Sequence, residues 1–278
     1  MTKNILITGG AGYIGSHMVL ACLDEGYEVT VVDDFSRGHE NLIPKKVKIV
    51  KGSIGNCELM SQLFKKNNFD AVIHFAASIS VPESVSDPMK YYINNTANTA
   101  ILVRECVNAC VKNFIFSSTA AVYGSQETKE IKEDFPPIPD NAYGMSKLMS
   151  EKIIQEAGKA NGLNYVILRY FNVAGADKKL RSGQISKKST HLIKILSEVI
   201  VGKRDKIEIF GSDYNTPDGT AIRDYIHVSD LADIHTEIAE YLLENLETNL
   251  FNCGYGNGFS VLDVINTANN IYQNKIIY

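Results

Sequence analysis

Thr8-Gly9-Gly10-Ala11-Gly12-Tyr13-Ile14-Gly15-Ser16-His17 is a glycine-rich stretch that follows an apolar segment (residues 4–7) and precedes a helix-like one. Strand, glycine turn and helix in this order predict a phosphate-binding loop, whose backbone N–H groups face an anion at the start of the helix. Gly9 permits the tight turn, Gly12 allows the backbone to approach a pyrophosphate, and Gly15 lets the helix pack close to the strand. The spacing is G-x-x-G-x-x-G rather than G-x-G-x-x-G, so an ordinary turn is the alternative for the loop taken alone.

An acidic residue follows the loop at the distance that a dinucleotide requires. Asp33 ends the next predicted strand, residues 29–32. An acid about 20 residues past a phosphate-binding loop suits a ribose 2′-hydroxyl, and it would repel the 2′-phosphate of NADP. The sequence therefore predicts NAD as the cofactor, and the nearby Arg37 leaves NADP as the lesser alternative.

Strands and helices alternate through the first two thirds of the chain. Apolar segments predict further strands at residues 71–75, 114–117 and 166–171, and longer segments predict helices at 89–110 and 143–161. This alternation predicts an α/β fold, a Rossmann-like doubly wound parallel sheet with helices on both faces and ligands at the carboxyl ends of the strands.

The pattern changes near Gly175, where we place a domain boundary. Residues 1–175 are the predicted NAD-binding Rossmann domain, and residues 176–278 a smaller, incomplete substrate-binding lobe interleaved with the sheet. The predicted elements of the lobe are a loop at 176–189, helices at 191–201, 228–244 and 260–273, and strands at 207–210 and 249–253. The last residues, 275–278, resemble a strand that is just beginning, which predicts a truncated C-terminus.

Composition excludes several classes of function. The chain has 278 residues, 45% apolar and 22% charged, with a net charge of −4 and no basic block, so neither nucleic acid nor an anionic membrane is expected as a partner. We expect neither a signal peptide nor a membrane span. Five cysteines without a C-x-x-C pair fit a reducing cytoplasm, and six histidines without ligand spacing predict no metal.

Tyr143 and Lys147 lie four residues apart at the start of a predicted helix. Side chains at i and i+4 share a helix face, and an ammonium beside a phenol favours the phenolate. The pair therefore predicts a lowered pKa for Tyr143 and a role as general base, with a surface pair as the alternative. The run Ser117-Ser118-Thr119, at the carboxyl end of a predicted strand, offers hydroxyls to the same site or to helix caps and turns.

Eight segments spread over nearly the whole chain match one family: TGGAGYIGSH, HFAA, SVPESVSDPMKYYINN, NFIFSSTAAVYG, YGMSK, LRYFNVAGA, IFGSDYNTPDGTAIRDYIHVSDLAD and NCGYGNGFSVLDV. They resemble the UDP-glucose 4-epimerases (UDP-galactose 4-epimerases) of the extended short-chain dehydrogenase/reductase family. The segment around Arg223 is much more specific than the glycine loop. The resemblance implies an isomerase of galactose metabolism that uses NAD to interconvert UDP-glucose and UDP-galactose by transient oxidation at C4, and a homodimer joined through the two long helices.

The resemblance also implies which residues form the site. The implied catalytic residues are Thr119, Tyr143 and Lys147. The implied cofactor contacts are Gly9, Gly12, Tyr13, Ile14, Gly15, Asp33, Ser53, Ile54, Phe75, Ala76, Ala77, Asn94, Tyr143, Lys147 and Phe171. The implied UDP-sugar contacts are Thr119, Tyr143, Asn172, His191, Leu192, Glu208, Ile209, Phe210 and Arg223. For Arg223, a structural ion pair with Asp224 or Asp230 is the alternative.

Four departures from the family pattern bear on function. Ser53 stands where the family commonly has an acid that holds the adenine amine, so we expect one weaker hydrogen bond there. Thr119 replaces the commoner Ser and keeps the hydroxyl, and Lys194 stands where the family often has Pro. The family continues past the end of this chain, which leaves substrate affinity open.

Two other functions are alternatives to epimerisation. A related nucleotide-sugar dehydratase would place Asp-Glu after the Ser/Thr, and this chain has Ala120-Ala121 there. An inactive NAD-binding relative is the second alternative, and the presence of Thr119, Tyr143 and Lys147 argues against it.

Overall fold

The computed structural model describes residues 2–126, 130–186, 189–245, 248–272 and 276–278. The strands are β1 (Asn4–Thr8), β2 (Glu28–Asp33), β3 (Lys48–Lys51), β4 (Ala71–His74), β5 (Asn113–Thr119), β6 (Asn164–Tyr170), β7 (Asn172–Ala174), β8 (Ile222–His227), β9 (Asn249–Cys253) and β10 (Gly258–Ser260). The α-helices are α1 (Tyr13–Asp24), α2 (Cys57–Lys66), α3 (Val81–Ser86), α4 (Pro88–Tyr91), α5 (Asn98–Asn108), α6 (Ala142–Asn161), α7 (Leu192–Ile200), α8 (Val228–Asn245) and α9 (Val261–Tyr272).

A seven-stranded sheet in the order β3-β2-β1-β4-β5-β6-β9 forms the centre of the fold. Every pairing in it is parallel, so all seven carboxyl ends lie at one edge. Helices cover both faces, which is why the central strands are almost continuously apolar rather than alternating. The predicted α/β fold with a doubly wound parallel sheet is confirmed.

The two faces of the sheet belong to separate cores. On β1, Ile5 and Ile7 face one core together with residues of α1 and α8. Leu6, between them, faces the other core together with residues of α2, α5 and α6. The period-two alternation of a strand therefore divides a wholly apolar segment between two helix layers.

The later part of the chain contributes both to this sheet and to a smaller unit. Strand β9 pairs with β6, and α8 packs on α1, while β10, β8 and β7 form a separate three-stranded sheet. A third small core, which includes Leu196, Ile207 and Ile265, lies between α7 and α9. The domain boundary at residue 175 stays a prediction.

Several predicted elements differ from the structure. The predicted strand at 207–210 is wrong, because its pairing in the described ranges is one backbone bond, from the Ile207 amide to the Ile277 carbonyl (2.9 Å). The strand predicted to begin at 275–278 is not found at residues 276–278, and Lys275 lies outside the described residues. Gln273, the last residue of the helix predicted at 260–273, lies outside them as well. The predicted helix at 89–110 contains a π-helical turn at Tyr92–Ala97 and ends at Asn108.

Among the helices of the described ranges, none has the length and apolar character needed to cross a membrane.

Candidate active site

The glycine loop connects β1 to α1 at the carboxyl edge of the sheet. Gly9 has φ +72°, and a Cβ there would lie 2.6 Å from the Ala76 backbone nitrogen. A Cβ on Gly15 would lie 2.2 Å from the Gly9 carbonyl oxygen. Gly12 differs, because it has φ −77° and a Cβ there would meet only the Gly9 oxygen, at 3.2 Å. The protein itself thus excludes side chains at Gly9 and Gly15, whereas a methyl group at Gly12 would make one tight contact, with the Gly9 oxygen.

Gly12 lies at the start of α1. Gly12 is the N-cap of the helix and supplies no side-chain acceptor. The amides of Tyr13 and Ile14 belong to the first turn, where N–H groups have no intrahelical acceptor. A glycine cradle with free donors at a helix N-terminus fits the pyrophosphate of a dinucleotide.

Asp33 lies beside the loop with its carboxylate fixed by the backbone. Its two oxygens accept one N–H each, from Ala11 (2.9 Å) and Phe35 (2.8 Å). Burial raises the pKa of Asp33, and these two hydrogen bonds oppose the rise. Each oxygen retains a lone pair that can accept a ribose hydroxyl.

The other predicted cofactor residues follow neighbouring strands. Ser53 and Ile54 follow β3, and the Ser53 hydroxyl accepts the Gly55 amide (3.1 Å). Phe75, Ala76 and Ala77 follow β4, where Ala76 packs against Gly9. The π-helical turn carries Asn94, whose side-chain amide donates to Ser78 (3.1 Å). Because the strands are parallel, their ends bring Ser53, Ile54 and residues 75–77 to the same edge as the glycine loop, and the bond to Ser78 holds Asn94 next to residue 77.

Tyr143 and Thr119 meet at the end of β5. The Asn141 side chain caps α6 by accepting the Gly144 amide (2.9 Å), which places Tyr143 in the first turn. Thr119 is the last residue of β5, and its side chain hydrogen-bonds Tyr143. Tyr143, the predicted general base, is therefore hydrogen-bonded to Thr119, the predicted contact of the sugar hydroxyl.

Lys147 lies one turn further along α6 and is 3% exposed. Its ammonium donates to the Ser117 carbonyl (2.7 Å) and lies 4.8 Å from the centre of the Phe116 ring. Burial lowers the pKa of Lys147 to about 7, against an opposing effect of the Glu151 carboxylate.

The expected lowering of the Tyr143 pKa is not found in the protein alone. Burial raises the pKa of Tyr143, and the hydrogen bond with Thr119 only partly opposes the rise. The Lys147 ammonium donates to the Ser117 carbonyl and not to the Tyr143 hydroxyl. Ionisation of Tyr143 therefore requires a further positive charge close to the phenol.

A buried ion pair between Glu151 and Arg169, one helical turn from Lys147, was not anticipated from the sequence. Glu151 accepts the hydroxyl of Ser118 and a bidentate fork from Arg169 (2.6 and 3.0 Å). Two features of the sequence could have indicated this ion pair. Tyr143, Lys147 and Glu151 are spaced at i, i+4 and i+8 on one helix face, and Arg169 is a charged residue inside the otherwise mostly apolar strand β6.

The predicted UDP-sugar contacts are more scattered. Asn172 begins β7 at the site edge and hydrogen-bonds Tyr225, and the residue before it is Phe171, which is a predicted cofactor contact. His191 is the N-cap of α7, next to Leu192, and its side chain hydrogen-bonds the Val173 backbone. Burial lowers the pKa of His191.

Residues 208–210 precede β8, and Arg223 lies within that strand. Phe210 is 81% exposed, and within the described ranges no hydrogen bond, ion pair or ring contact joins Glu208, Ile209 or Phe210 to Tyr143. The Arg223 guanidinium donates to the Ile222 carbonyl (2.7 Å) and makes no ion pair with a described carboxylate.

The two acids that could have held Arg223 have other partners. Asp224 accepts the amides of Tyr255 and Gly256, and Asp230 accepts the Tyr255 hydroxyl. The structural ion pair that was the alternative for Arg223 does not form.

No group of three or more His, Cys, Asp or Glu side chains in the described part of the chain is arranged to hold a metal ion. The absence of a metal from the active protein stays a prediction.

Comparison with known proteins identifies the family. The model of the NAD dependent epimerase/dehydratase family matches residues 5–254. A UDP-glucose 4-epimerase of Azospirillum brasilense is 51% identical over 275 residues, 99% of this chain and 79% of that protein. UDP-glucose 4-epimerase from Brucella ovis in complex with NAD aligns with a TM-score of 0.93 at 40% identity, over 97% of this chain and 82% of that one. The enzyme from Bifidobacterium longum in complex with NAD+ and UDP gives a TM-score of 0.94 at 37% identity, over 99% and 85%. This chain belongs to the NAD dependent epimerase/dehydratase family.

Proposed function

We propose that this chain is an NAD-dependent 4-epimerase that interconverts UDP-glucose and UDP-galactose. The observation that carries the proposal is the hydrogen-bonded pairing of Tyr143 with Thr119, one helical turn from the buried Lys147, at the sheet edge that also holds the glycine loop. The relatives named UDP-glucose 4-epimerase, at up to 51% identity over almost the entire chain, support the same reaction.

The residues present fit NAD. The space over Gly12 and the first amides of α1 would hold its pyrophosphate, and Asp33 would hold the adenosine ribose. Ser53, Ile54, Asn94 and residues 75–77 would line the rest of the cleft. When bound, NAD supplies a nicotinamide that takes a hydride from C4 of the sugar and returns it to the opposite face.

The chain's own residues handle the proton and the orientation of the sugar. Tyr143 Oη takes the proton of the 4-hydroxyl and gives it back after the 4-keto sugar has turned over in the pocket. Thr119 hydrogen-bonds the same hydroxyl and fixes the reacting oxygen beside the phenol. Lys147 holds the nicotinamide ribose and, when protonated, favours the phenolate.

The UDP portion requires polar and cationic contacts beyond β6. We assign its binding to Asn172, His191, Leu192, Glu208, Ile209, Phe210 and Arg223. Arg223 is suited to the diphosphate, because a guanidinium binds phosphate oxygens in a bidentate manner and its charge is not neutralised by a described carboxylate.

A dehydratase is disfavoured by the residues after Thr119. Ala120–Tyr123 forms a short 3₁₀ turn, and neither Ala120 nor Ala121 can act as acid or base there. Elimination would require such a group close to the sugar.

We assign a second copy of this chain as the partner that covers the exposed surface of the two long predicted helices, residues 89–110 and 143–161. A groove of about 470 Å³ is lined by Thr96, Met145, Leu148, Met149, Lys152 and Ile153. Met89 in α4 and Ile93, which lies in the same π-helical turn as Thr96, are 58% and 63% exposed. Sedimentation of the protein as a dimer, and as a monomer after Met149→Lys, would support this homodimer, and a monomeric parent protein would contradict it.

We place the reaction in galactose metabolism in the cytoplasm. The cysteines of the described chain are free thiols, which suits a reducing compartment.

The test is turnover of UDP-galactose by this 278-residue chain without added NAD. Formation of UDP-glucose that Tyr143→Phe abolishes supports an epimerase with retained cofactor. A folded protein that stays inactive even with NAD added refutes the proposed function and favours the inactive NAD-binding relative.

A further inference from the structure

An ion pair connects two segments that lie on opposite sides of the glycine loop. Arg37 follows β2, and Glu83 lies in α3, after β4. The Arg37 Nη2 atom is 2.9 Å from Glu83 Oε2. Strand β1, which ends in the glycine loop, lies between β2 and β4 in the sheet.

Both segments are in contact with the loop that they enclose. On one side, the Ala11 amide donates to Asp33 and the Ala11 carbonyl accepts the His39 amide (both 2.9 Å). On the other side, the backbone of Ala76 packs against Gly9. The Arg37–Glu83 pair therefore passes from one wall of the predicted dinucleotide cleft to the other.

Glu83 is held firmly on its own side of the cleft. Its carboxylate accepts Lys90 Nζ (2.7 Å) and the Tyr91 hydroxyl (2.8 Å), and these contacts, together with Arg37, lower the pKa of Glu83. The carboxylate is thus charged at neutral pH, and Arg37 is the partner that reaches it from the opposite wall.

We propose that the Arg37–Glu83 pair is a latch that closes across the cleft and retards release of the bound dinucleotide. The inference rests on the proposed function, since it requires the cleft to hold NAD. Arg37 and Glu83 are positioning residues in this role. Because both side chains are partly exposed, we expect a modest effect that weakens as ionic strength rises.

Release of NAD from the loaded protein tests the latch. The protein is loaded with radiolabelled NAD and chased with excess unlabelled NAD, and the loss of label is followed in the parent chain, Arg37→Gln, Glu83→Gln and Lys90→Gln. Lys90→Gln is the matched control, because it removes a cation from the same carboxylate without crossing the cleft. We expect about two- to fivefold faster release for Arg37→Gln and Glu83→Gln, no further increase when they are combined, and no change for Lys90→Gln.

The sign of the Glu83→Gln effect separates the latch from a direct contact. If Arg37 bound the dinucleotide itself, removal of the Glu83 charge would free Arg37 and slow the release of NAD. Slower or unchanged release from Glu83→Gln overturns the latch, as does equal acceleration by Lys90→Gln. A parent chain that retains no NAD refutes the cofactor site of the proposed function, whereas a parent chain that retains NAD as briefly as Arg37→Gln refutes the latch alone.

Discussion

Glu151 and Arg169 form an ion pair in which the two side chains are 1% and 5% exposed, one turn along α6 from Lys147. Arg169 is the register partner of Ser118 on the neighbouring strand, and Ser118 donates its hydroxyl to the same carboxylate. Three successive turns of α6 thus contact three successive residues of β5: Tyr143 with Thr119, Lys147 with Ser117, and Glu151 with Ser118. The Glu151–Arg169 pair therefore fixes α6, which contains Tyr143, against β5, which ends with Thr119.

Glu151→Gln should destabilise the protein strongly. The substitution leaves the Arg169 guanidinium buried without a counter-charge, which typically lowers the free energy of unfolding by about 3–5 kcal/mol. It also removes the carboxylate that opposes the lowering of the Lys147 pKa. Urea unfolding of the two proteins measures the difference.

The double substitution Glu151→Leu with Arg169→Met is the control for this prediction. Because it removes both charges, it should be less destabilising than Glu151→Gln alone. A loss below about 1 kcal/mol for Glu151→Gln would show that water reaches the pair and that it does not anchor α6.

Gly15→Ala should lower the stability of the protein, whereas Gly12→Ala should lower its retention of NAD. At Gly15 the added Cβ would lie 2.2 Å from a backbone carbonyl, so the loop must shift and the thermal midpoint should fall by several degrees. At Gly12 the backbone suits alanine, and the Cβ would enter the space that we assign to the pyrophosphate. Gly12→Ala should therefore unfold near the parent temperature and lose NAD, as measured by the nucleotide released on denaturation. Full retention of NAD by Gly12→Ala would argue against this position for the pyrophosphate.

The parts of the fold that the sequence predicts are those with local causes. The order β1, glycine loop, α1 and β2 follows from apolar runs, a helix-sized segment and glycines whose conformations are set within a few residues. Parallel pairing then follows from the alternation of strands and helices. The site residues at strand ends could be anticipated for the same reason.

The features that were missed depend on distant partners. Strand β8 contains Arg223 and Asp224 and has no apolar run, and it becomes a strand by pairing with β7 and β10. Residues 207–210 have the apolar pattern of a strand, but in the described part of the chain their one backbone pairing is the bond between Ile207 and Ile277. The direction of the Tyr143 pKa shift depends on burial, which the spacing of Tyr143 and Lys147 does not reveal.

Lys147→Met should stabilise the protein near neutral pH while it removes activity. The pKa of Lys147 falls from its ordinary value near 10.5 to about 7 on folding, so the unfolded chain binds more protons between those values and the stability of the parent protein rises with pH across that window. The penalty for the buried ammonium is fully present below pH 7 and disappears above the ordinary pKa. Urea unfolding of the two proteins without added cofactor, from pH 6.5 to 9.5, should show an advantage of Lys147→Met that shrinks as the pH rises. An advantage that is constant over this range would mean that Lys147 keeps an ordinary pKa in the folded chain.

Tyr143→Phe should reduce the turnover of UDP-galactose by about 10²–10⁴-fold, because it removes the group that exchanges the proton at O4. The substitution keeps the ring that packs against Tyr91, so the thermal midpoint and the retained NAD should stay close to those of the parent protein. Tyr165→Phe is the matched control: Tyr165 lies near the amino end of β6, at the edge of the sheet opposite the site, and its loss of a hydroxyl should leave turnover unchanged. The measurement is the initial rate of UDP-glucose formation at saturating substrate for all three proteins. If Tyr143→Phe turned over as fast as Tyr165→Phe, the proton at O4 would be handled by another group, and Thr119, which hydrogen-bonds the phenol, would be the next residue to substitute.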